Sequence, residues 1–263
     1  MSDDARNIDV EVCVIGGGPA GSTCARKLAT LGHDVCLIER SRFPRPHVGE
    51  SLTPGILPLL DALGLRDRIE SAPFLRPDRA IVRWSDATDH LKSMPGDPGF
   101  QVDRGLFDQL LVEEAREAGV KVLQPATGLR PARLRDRWIV PVRGENGYGP
   151  QVRARFVVDA SGRRSVQPGV KKRRSAPTLA LYGYWRHMSL NGSQTRVEAS
   201  ECEWYWGAPL PDGTFNAAVF LGALRRLPKP TARFRTALFV LDRKIYFVAR
   251  CSRWRSYKRS YRV

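Results

Sequence analysis

The residues with the clearest chemical potential lie near the amino terminus. Gly16, Gly18 and Gly21 follow the apolar run 9–15 at the spacing G-x-G-x-x-G. Gly16 permits a tight turn out of a strand. Gly18 lets a pyrophosphate approach the backbone, and Gly21 lets a following helix pack close to the strand. Pro19 and Ala20 open that helix, whose N-terminus offers free N–H groups and a partial positive charge of about half a unit. Glu39 closes a second apolar run, 34–38. A carboxylate at that place accepts hydrogen bonds from ribose hydroxyls and repels a 2′-phosphate. Gly16, Gly18, Pro19, Ala20, Gly21, Glu39 and the adjacent Arg40 are therefore candidate binding residues for a dinucleotide that lacks this phosphate.

Two further groups carry a signal. The apolar run ending in Asp159-Ala160-Ser161-Gly162 puts small residues where a cofactor can approach the backbone. Trp204-Tyr205-Trp206 is an aromatic cluster that equally fits cross-strand packing in a hairpin. His33, His47, His90 and His187 make no metal spacing, and no G-x-S-x-G or Cys/His pairing points to hydrolysis. No metal is expected.

The elements that must position these residues follow from periodicity. Residues 9–15 and 34–38 read as buried strands. Between them runs a helix from Pro19 to about Leu31, with Ala20, Cys24, Leu28 and Leu31 on one face. This is a βαβ opening. A helix is predicted over 56–65 and an amphipathic one over 106–118, stopped by Gly119. Strands are predicted near 78–85, 120–123, 138–142, 152–158 and 179–188. A hairpin joins 203–206 to 215–221 around Pro211-Asp212-Gly213-Thr214. The expected fold class is α/β (α+β overall), a Rossmann-type dinucleotide-binding domain with an antiparallel β-sheet domain. The first is expected from the discontinuous pieces 1–70 and 100–165, the second from 71–99 and 166–224.

Composition narrows the class. The chain has 263 residues, 42% hydrophobic and 27% charged, enough to bury one large core or two smaller ones. No apolar run reaches the roughly 18–20 residues of a membrane helix. The acidic start, MSDDARN, lacks the basic leader of a signal peptide, and the five Cys show no C-x-x-C spacing. A cytoplasmic protein with reduced thiols is expected. The formal charge of +16 resembles a nucleic-acid binder, but 13 of the 43 Lys and Arg lie in residues 225–263, with only one of the 27 acids, Asp242. Trp254, Tyr257 and Tyr261 interleave with Arg and Lys there, yet no nucleic-acid-binding fold surrounds them. Nucleic acid is not an expected partner. The last Gly is Gly222, and the change of texture after about Leu224 predicts a basic, non-native tail.

Taken together, GGGPAG with Glu39, RFPRPHVGESL (42–52), FQVDRGLFDQLL (100–111) and VVDASGRRS (157–165) resemble one group of flavoproteins. It comprises FAD-dependent monooxygenases, flavin-dependent (tryptophan) halogenases and geranylgeranyl-reductase-like enzymes. The resemblance covers about residues 8–222. It implies an FAD-binding Rossmann-type domain with an antiparallel substrate-binding sheet. By position, Gly16, Gly18 and Gly21 would cradle the pyrophosphate and Glu39 would hold the adenosine ribose. Asp159 and Gly162 would lie near the adenosine side. Gly49-Glu50-Ser51 resembles the segment that runs past the isoalloxazine. Arg104 resembles a flavin-contacting arginine, although Asp103 and Asp108 also offer it an ion pair. Trp204-Tyr205-Trp206-Gly207-Ala208-Pro209 is similar to the halogenase W-x-W-x-I-P motif, with Ala at the Ile place. Glu50, Trp204 and Trp206 are the catalytic candidates the resemblance implies.

The resemblance implies oxygenation or halogenation of an electron-rich aromatic ring, as a small molecule or a protein Trp, through reduced flavin and O2, with a flavin reductase as a partner. Two departures qualify this. Halogenases of the group use a Lys about thirty residues beyond the G-E-S segment, and this chain has no Lys between Lys27 and Lys92. Arg76 and Arg79 occupy that region, and an Arg stays protonated, so oxygenation is expected over halogenation. Members of the group also continue to a Gly-Asp motif, for which 225–263 holds no candidate. A C-terminally truncated chain with a shifted reading frame after about Leu224 is the expectation. A double-bond reductase and a catalytically inactive FAD-fold fragment stand as alternatives.

Overall fold

A computed structural model describes residues 7–77, 79–84, 90–93, 96–147, 149–163, 165–166, 178–186, 194–199, 203–222 and 261–262. Apart from Tyr261–Arg262, the basic tail expected over 225–263 lies outside the described residues. The chain divides into two units. One comprises Met1–Gly49, Pro58–Ala72 and Asp103–Lys171, the other Glu50–Leu57, Pro73–Val102 and Lys172–Val263.

In chain order the first elements are β1 (Asn7–Ile15), α1 (Pro19–Thr30), β2 (Val35–Ile38), β3 (Ser51–Leu52), α2 (Leu57–Leu63) and α3 (Arg66–Glu70). Next come β4 (Arg79–Trp84), β5 (His90–Ser93), β6 (Phe100–Gln101), α4 (Arg104–Glu117), β7 (Lys121–Leu123), β8 (Ala126–Gly128) and β9 (Ala132–Leu134). The remainder are β10 (Arg137–Gly144), β11 (Gln151–Asp159), β12 (Thr178–Trp185), β13 (Thr195–Ala199), β14 (Glu203–Pro209), β15 (Phe215–Gly222) and β16 (Tyr261–Arg262). A short 3-10 turn, Pro54–Ile56, precedes α2, where one continuous helix over 56–65 was expected.

The first unit is built on a sheet of order β7-β2-β1-β11-β10-β8, with β9 beside β10. Strands β7, β2, β1 and β11 run parallel. Parallel strands are buried on both faces, which explains their near-continuous apolar runs. On one side Val12, Val14, Val35 and Leu37 pack with Ala25 of α1 and Ala115 of α4. On the other, Cys13, Ile15, Cys36 and Ile38 pack with Val152 and Ala154 of β11 and with Val140 and Val142 of the antiparallel β10. The face expected for α1 is displaced. Its buried residues are Gly21, Ser22 and Ala25, whereas Ala20 is exposed and Leu31, just past the helix end, is 63% exposed. Small side chains bring the helix axis close to the sheet, so the close-packing stripe outweighs the larger apolar residues.

The second unit holds a sheet of order β16-β12-β15-β14-β13-β4-β5 and a two-stranded sheet of β3 and β6. The expected hairpin is present, with β14 and β15 paired from Glu203↔Leu221 to Pro209↔Phe215. The sheet is not wholly antiparallel as expected: β13 pairs β4 in parallel, from Thr195↔Ala80 to Ala199↔Trp84. The two strands lie far apart in sequence, so no tight turn imposes the antiparallel direction on them.

Cys13 and Cys36 are partners in register on β1 and β2, and both are fully buried. Burial pushes both thiols up, Cys36 to about 12. At pH 8 a thiol of that acidity is thiolate in about one molecule in 10⁴. In the native protein both cysteines are therefore expected to resist alkylation by iodoacetamide at pH 8 and to react on unfolding. Site-resolved peptide mass mapping checks this; rapid native labelling of either would contradict it.

Candidate functional site

Each glycine after β1 is required for a different reason. Gly16 has φ +111°, and a Cβ there would lie 2.4 Å from the Ala160 carbonyl oxygen. A Cβ on Gly21 would lie 1.8 Å from the Gly16 carbonyl oxygen, so α1 starts at the closest approach to the loop that the backbone allows. Gly17, unremarkable in the G-x-G-x-x-G pattern, carries a second constraint: its Cβ would lie 2.8 Å from Cβ of Glu39. Gly18 differs from all three. Its φ is −73°, open to any residue, and the nearest atom to a Cβ there is Nη2 of Arg45 at 3.7 Å. Glycine at 18 leaves room beside the backbone at the mouth of α1. Pro19 occupies the first turn, and the N-cap residue, Gly18, has no side chain with which to cap the helix. The Gly18 surroundings and the uncapped N–H groups fit an incoming phosphate.

Glu39 is 5% exposed at the end of β2. Its Oε2 accepts the Gly17 N–H at 2.7 Å and its Oε1 the Ser41 N–H at 2.8 Å. One bond per oxygen leaves each with a lone pair for a further donor, the demand of a ribose diol. Arg40 is exposed beside it. The sequence reading found Glu39 but not the two backbone donors that fix its rotamer.

Asp103 caps α4, its Oδ1 accepting the Leu106 N–H at 2.8 Å. This places Arg104 in the first turn, one helical turn before Asp108. Arg104 donates through Nε to Asp108 Oδ1 at 3.0 Å and through Nη2 to Oδ2 at 3.3 Å. Its Nη1 donates to the carbonyl oxygens of Val48 at 3.0 Å and Gly49 at 3.3 Å. Gly49 has φ +104°, and a Cβ there would lie 2.8 Å from that same Nη1. Arg45, absent from the sequence candidates, donates through Nη2 to Asp108 Oδ2 at 3.1 Å. Its Nε is buried with no hydrogen-bond partner among the described residues. Asp108 is fully buried; desolvation pushes its carboxyl up, against the opposing pull of Arg104 and Arg45. Its position between two guanidinium groups organises a chain of contacts from Gly18 through Arg45, Asp108 and Arg104 to Gly49. The sole hint in the sequence was the density of Arg and Pro over 42–46.

Asp159 ends β11 opposite Ile15. Its carboxylate closes its own turn, with Oδ1 accepting the Ser161 N–H at 3.1 Å and Oδ2 the Val166 N–H at 3.1 Å; the Ser161 and Ser165 hydroxyls bond to it as well. Gly162 has φ +76° and open space where a Cβ would be. This turn holds Ala160 against Gly16.

In the second unit, Glu50 is 3% exposed. Its Oε1 accepts the Tyr184 hydroxyl at 2.7 Å and Asn216 Nδ2 at 2.9 Å. Ser51, in β3, donates to Gln101 Oε1 at 2.9 Å, and Gln101 Nε2 donates to Thr195 Oγ1 at 2.8 Å. Tyr184, Asn216, Ala208 and Thr195 belong to one face of the large sheet, and all but Tyr184 are buried. The next rows on that face are Tyr182, Ala218, Trp206 and Val197, then Ala180, Phe220, Trp204 and Ala199. Trp204 is 41% exposed and stacks on Phe220, with ring centroids 3.6 Å apart and planes at 3°. Trp206 is half-buried, and Ala218 separates it from Tyr182. The result is an aromatic floor bordered by a hydrogen-bonded polar row. Cross-strand packing accounts for Trp204, and the same arrangement presents flat apolar surface to a ring-shaped ligand.

The model of the family described as FAD binding domain matches residues 9–214. The chain is 32% identical over 230 residues to the tryptophan 2-halogenase of Chondromyces crocatus, a match over 80% of this chain and 43% of that protein. It is 34% identical over 181 residues to the 1H-pyrrole-2-carbonyl-[peptidyl-carrier protein] chlorinase of Pseudomonas fluorescens, over 59% of this chain and 40% of that one. Among solved structures, the myxobacterial chondrochloren halogenase CndH matches with a TM-score of 0.71 at 31% identity, over 81% of this chain and 53% of that chain. The chain thus spans about half the length of the relatives it matches.

The glycines separate folding from binding. Gly17→Ala forces Cβ against Glu39 and is expected to lower stability by roughly 1–3 kcal/mol, the usual cost of overpacking. Gly18→Ala is expected to leave the denaturant midpoint unchanged while weakening FAD at least about tenfold, roughly 1.4 kcal/mol. Urea unfolding and flavin fluorescence titration of both variants check this; tight FAD binding by Gly18→Ala would show that no phosphate comes close there.

Proposed function

The chain belongs to the FAD binding domain family, and from that premise we propose that it is an FAD-dependent oxidoreductase that oxygenates an electron-rich aromatic ring, free or as a protein Trp, with reduced flavin and O2. The observation that carries the reading is the Gly16–Gly21 loop with Glu39 locked to the Gly17 N–H at 2.7 Å. The loop and the α1 N-terminus would hold the pyrophosphate, with the Arg45 guanidinium offsetting its charge. Glu39 would accept the ribose hydroxyls, and its charge disfavours a 2′-phosphate. Arg104 fixes the Val48–Gly49 backbone. FAD, when bound, supplies the redox chemistry.

The second unit would supply the substrate surface. Relatives named for tryptophan and for a pyrrole-2-carbonyl group support an N–H heteroaromatic substrate class. Trp204, Trp206 and Phe220 offer flat faces to such a ring. Oxygenation is favoured over halogenation because the region of the halogenase lysine holds none. Arg76 there is committed to the unit's own packing: it pairs with Asp97, donates to the Pro98 carbonyl oxygen at 2.9 Å, and lies 4.3 Å over the Phe100 ring. Reduced flavin would come from a separate flavin reductase.

The first test is the absorbance spectrum of the desalted chain from about 300 to 550 nm, followed by FAD titration. A flavin spectrum or saturable quenching is expected, and the absence of both would refute the cofactor assignment. With FAD, a flavin reductase, O2 and bromide, an indole substrate is expected to give oxygenated product and no carbon–bromine bond. A brominated product by mass spectrometry would overturn the preference for oxygenation.

A further inference from the structure

Tyr184 stands apart in the polar row. It is 47% exposed, whereas Glu50, which it bonds, and Asn216, which bonds the same carboxylate, are buried at 3% and 2% exposed. Its hydroxyl donates to Glu50 Oε1 at 2.7 Å, and Asn216 Nδ2 donates to the same oxygen at 2.9 Å. The carboxylate accepts only, so the Asn216 amide must present its nitrogen to Glu50. Asn216 Oδ1 is buried and has no hydrogen-bond partner among the described residues. The amide thus turns its nitrogen to the carboxylate even though its oxygen is left without a donor. Because the carboxylate only accepts, the Tyr184 hydroxyl must donate, and register pairing of Tyr184 with Asn216 across β12 and β15 brings both donors to the same oxygen.

A phenol hydroxyl that has given its hydrogen to a carboxylate meets anything else through its oxygen lone pairs, and the bond it makes polarises that oxygen into a better acceptor. The Tyr184 ring lies on the same face as Tyr182, edge to face at 6.0 Å. That face carries the Ala218 gap between Tyr182 and Trp206. A flat ring lying over Ala218 therefore meets a hydrogen-bond acceptor at the Tyr184 end of the face.

We propose that Tyr184, set by Glu50 and Asn216, is the specificity-determining acceptor of the aromatic face, selecting ring substrates that carry an N–H or O–H donor and discriminating against the same rings with that donor methylated. The inference rests on the reading of this face as the substrate surface. Tyr184 would touch the substrate; Glu50, through its bond to Tyr184, and Asn216 are positioning residues for it.

The test measures binding of indole and of 1-methylindole to the full 263-residue chain with FAD present, by ligand-observed NMR, in the wild type and in Tyr184→Phe. The wild type is expected to bind indole about tenfold more tightly than 1-methylindole, as a donor–acceptor bond of roughly 1.4 kcal/mol requires. Tyr184→Phe keeps the ring and loses the acceptor, so the two affinities are expected to fall within about twofold of each other, with FAD affinity unchanged and the denaturant midpoint lowered by the lost bond to Glu50. A ratio near one in the wild type overturns the proposal without any variant. A ratio that survives in Tyr184→Phe also overturns it, because the preference is then steric. If FAD binds and neither probe does, this inference fails while the cofactor assignment stands; failure of FAD itself to bind removes the reading beneath it.

Discussion

A carboxylate pressed against a backbone that can carry no side chain is the constraint on which the first unit depends. Glu39 ends β2 and Gly17 follows β1, and the 2.7 Å bond between them ties the two strands together beyond the last pair of the ladder. Packing and binding then make opposite demands on adjacent residues. Gly16, Gly17 and Gly21 are closed in by protein atoms within 3 Å of where a Cβ would be. Gly18 is left open. The structure expends its glycines on bringing β1, β2 and α1 together, and keeps one for the space at their junction.

The same economy governs the buried charges. Asp108 is out of contact with water, a costly position for a carboxylate, and two arginines surround it. Breaking such a cluster costs more than forming it returns, because any survivor is left as an unpaired buried charge. The cluster is better understood as a positioning device. It holds Arg45 toward the Gly18 loop and Arg104 on the Gly49 carbonyl. In the second unit Glu50 has an analogous place, with neutral donors from two strands, Tyr184 and Asn216, on its carboxylate.

What could be read in the sequence was what local chemistry writes locally. The turn Gly16–Gly21 declares itself because φ +111° at Gly16 and the 1.8 Å approach at Gly21 admit one residue type. Glu39 declares itself by closing an apolar run. Gly17 was hidden because its reason lies 22 residues away in Glu39. The helix face was misplaced because apolar periodicity ranks Leu31 above Gly21, while the packing of α1 rewards the smaller residue. Arg45, Tyr184 and Asn216 were invisible for a related cause: each acquires its role from tertiary register, and nothing in the pattern near residue 184 or 216 announces a carboxylate from residue 50.

The connectivity of the two sheets has a consequence for how the chain comes to exist at all. The strand that completes the parallel core beside β1 is β11, so Asn7 finds its partner at Gln151. The second sheet is interleaved with this one, since Ala80 waits for Thr195. On a ribosome, the first strand emerges long before the residues that cover its open edge, and the second unit's β4 emerges before the first unit is finished. Contacts of such sequence separation form slowly and leave strand edges bare in the meantime. The nascent chain must therefore carry two unfinished sheets at once, and its yield in a cell will be set by how well those edges are shielded during synthesis as much as by the stability of the finished fold.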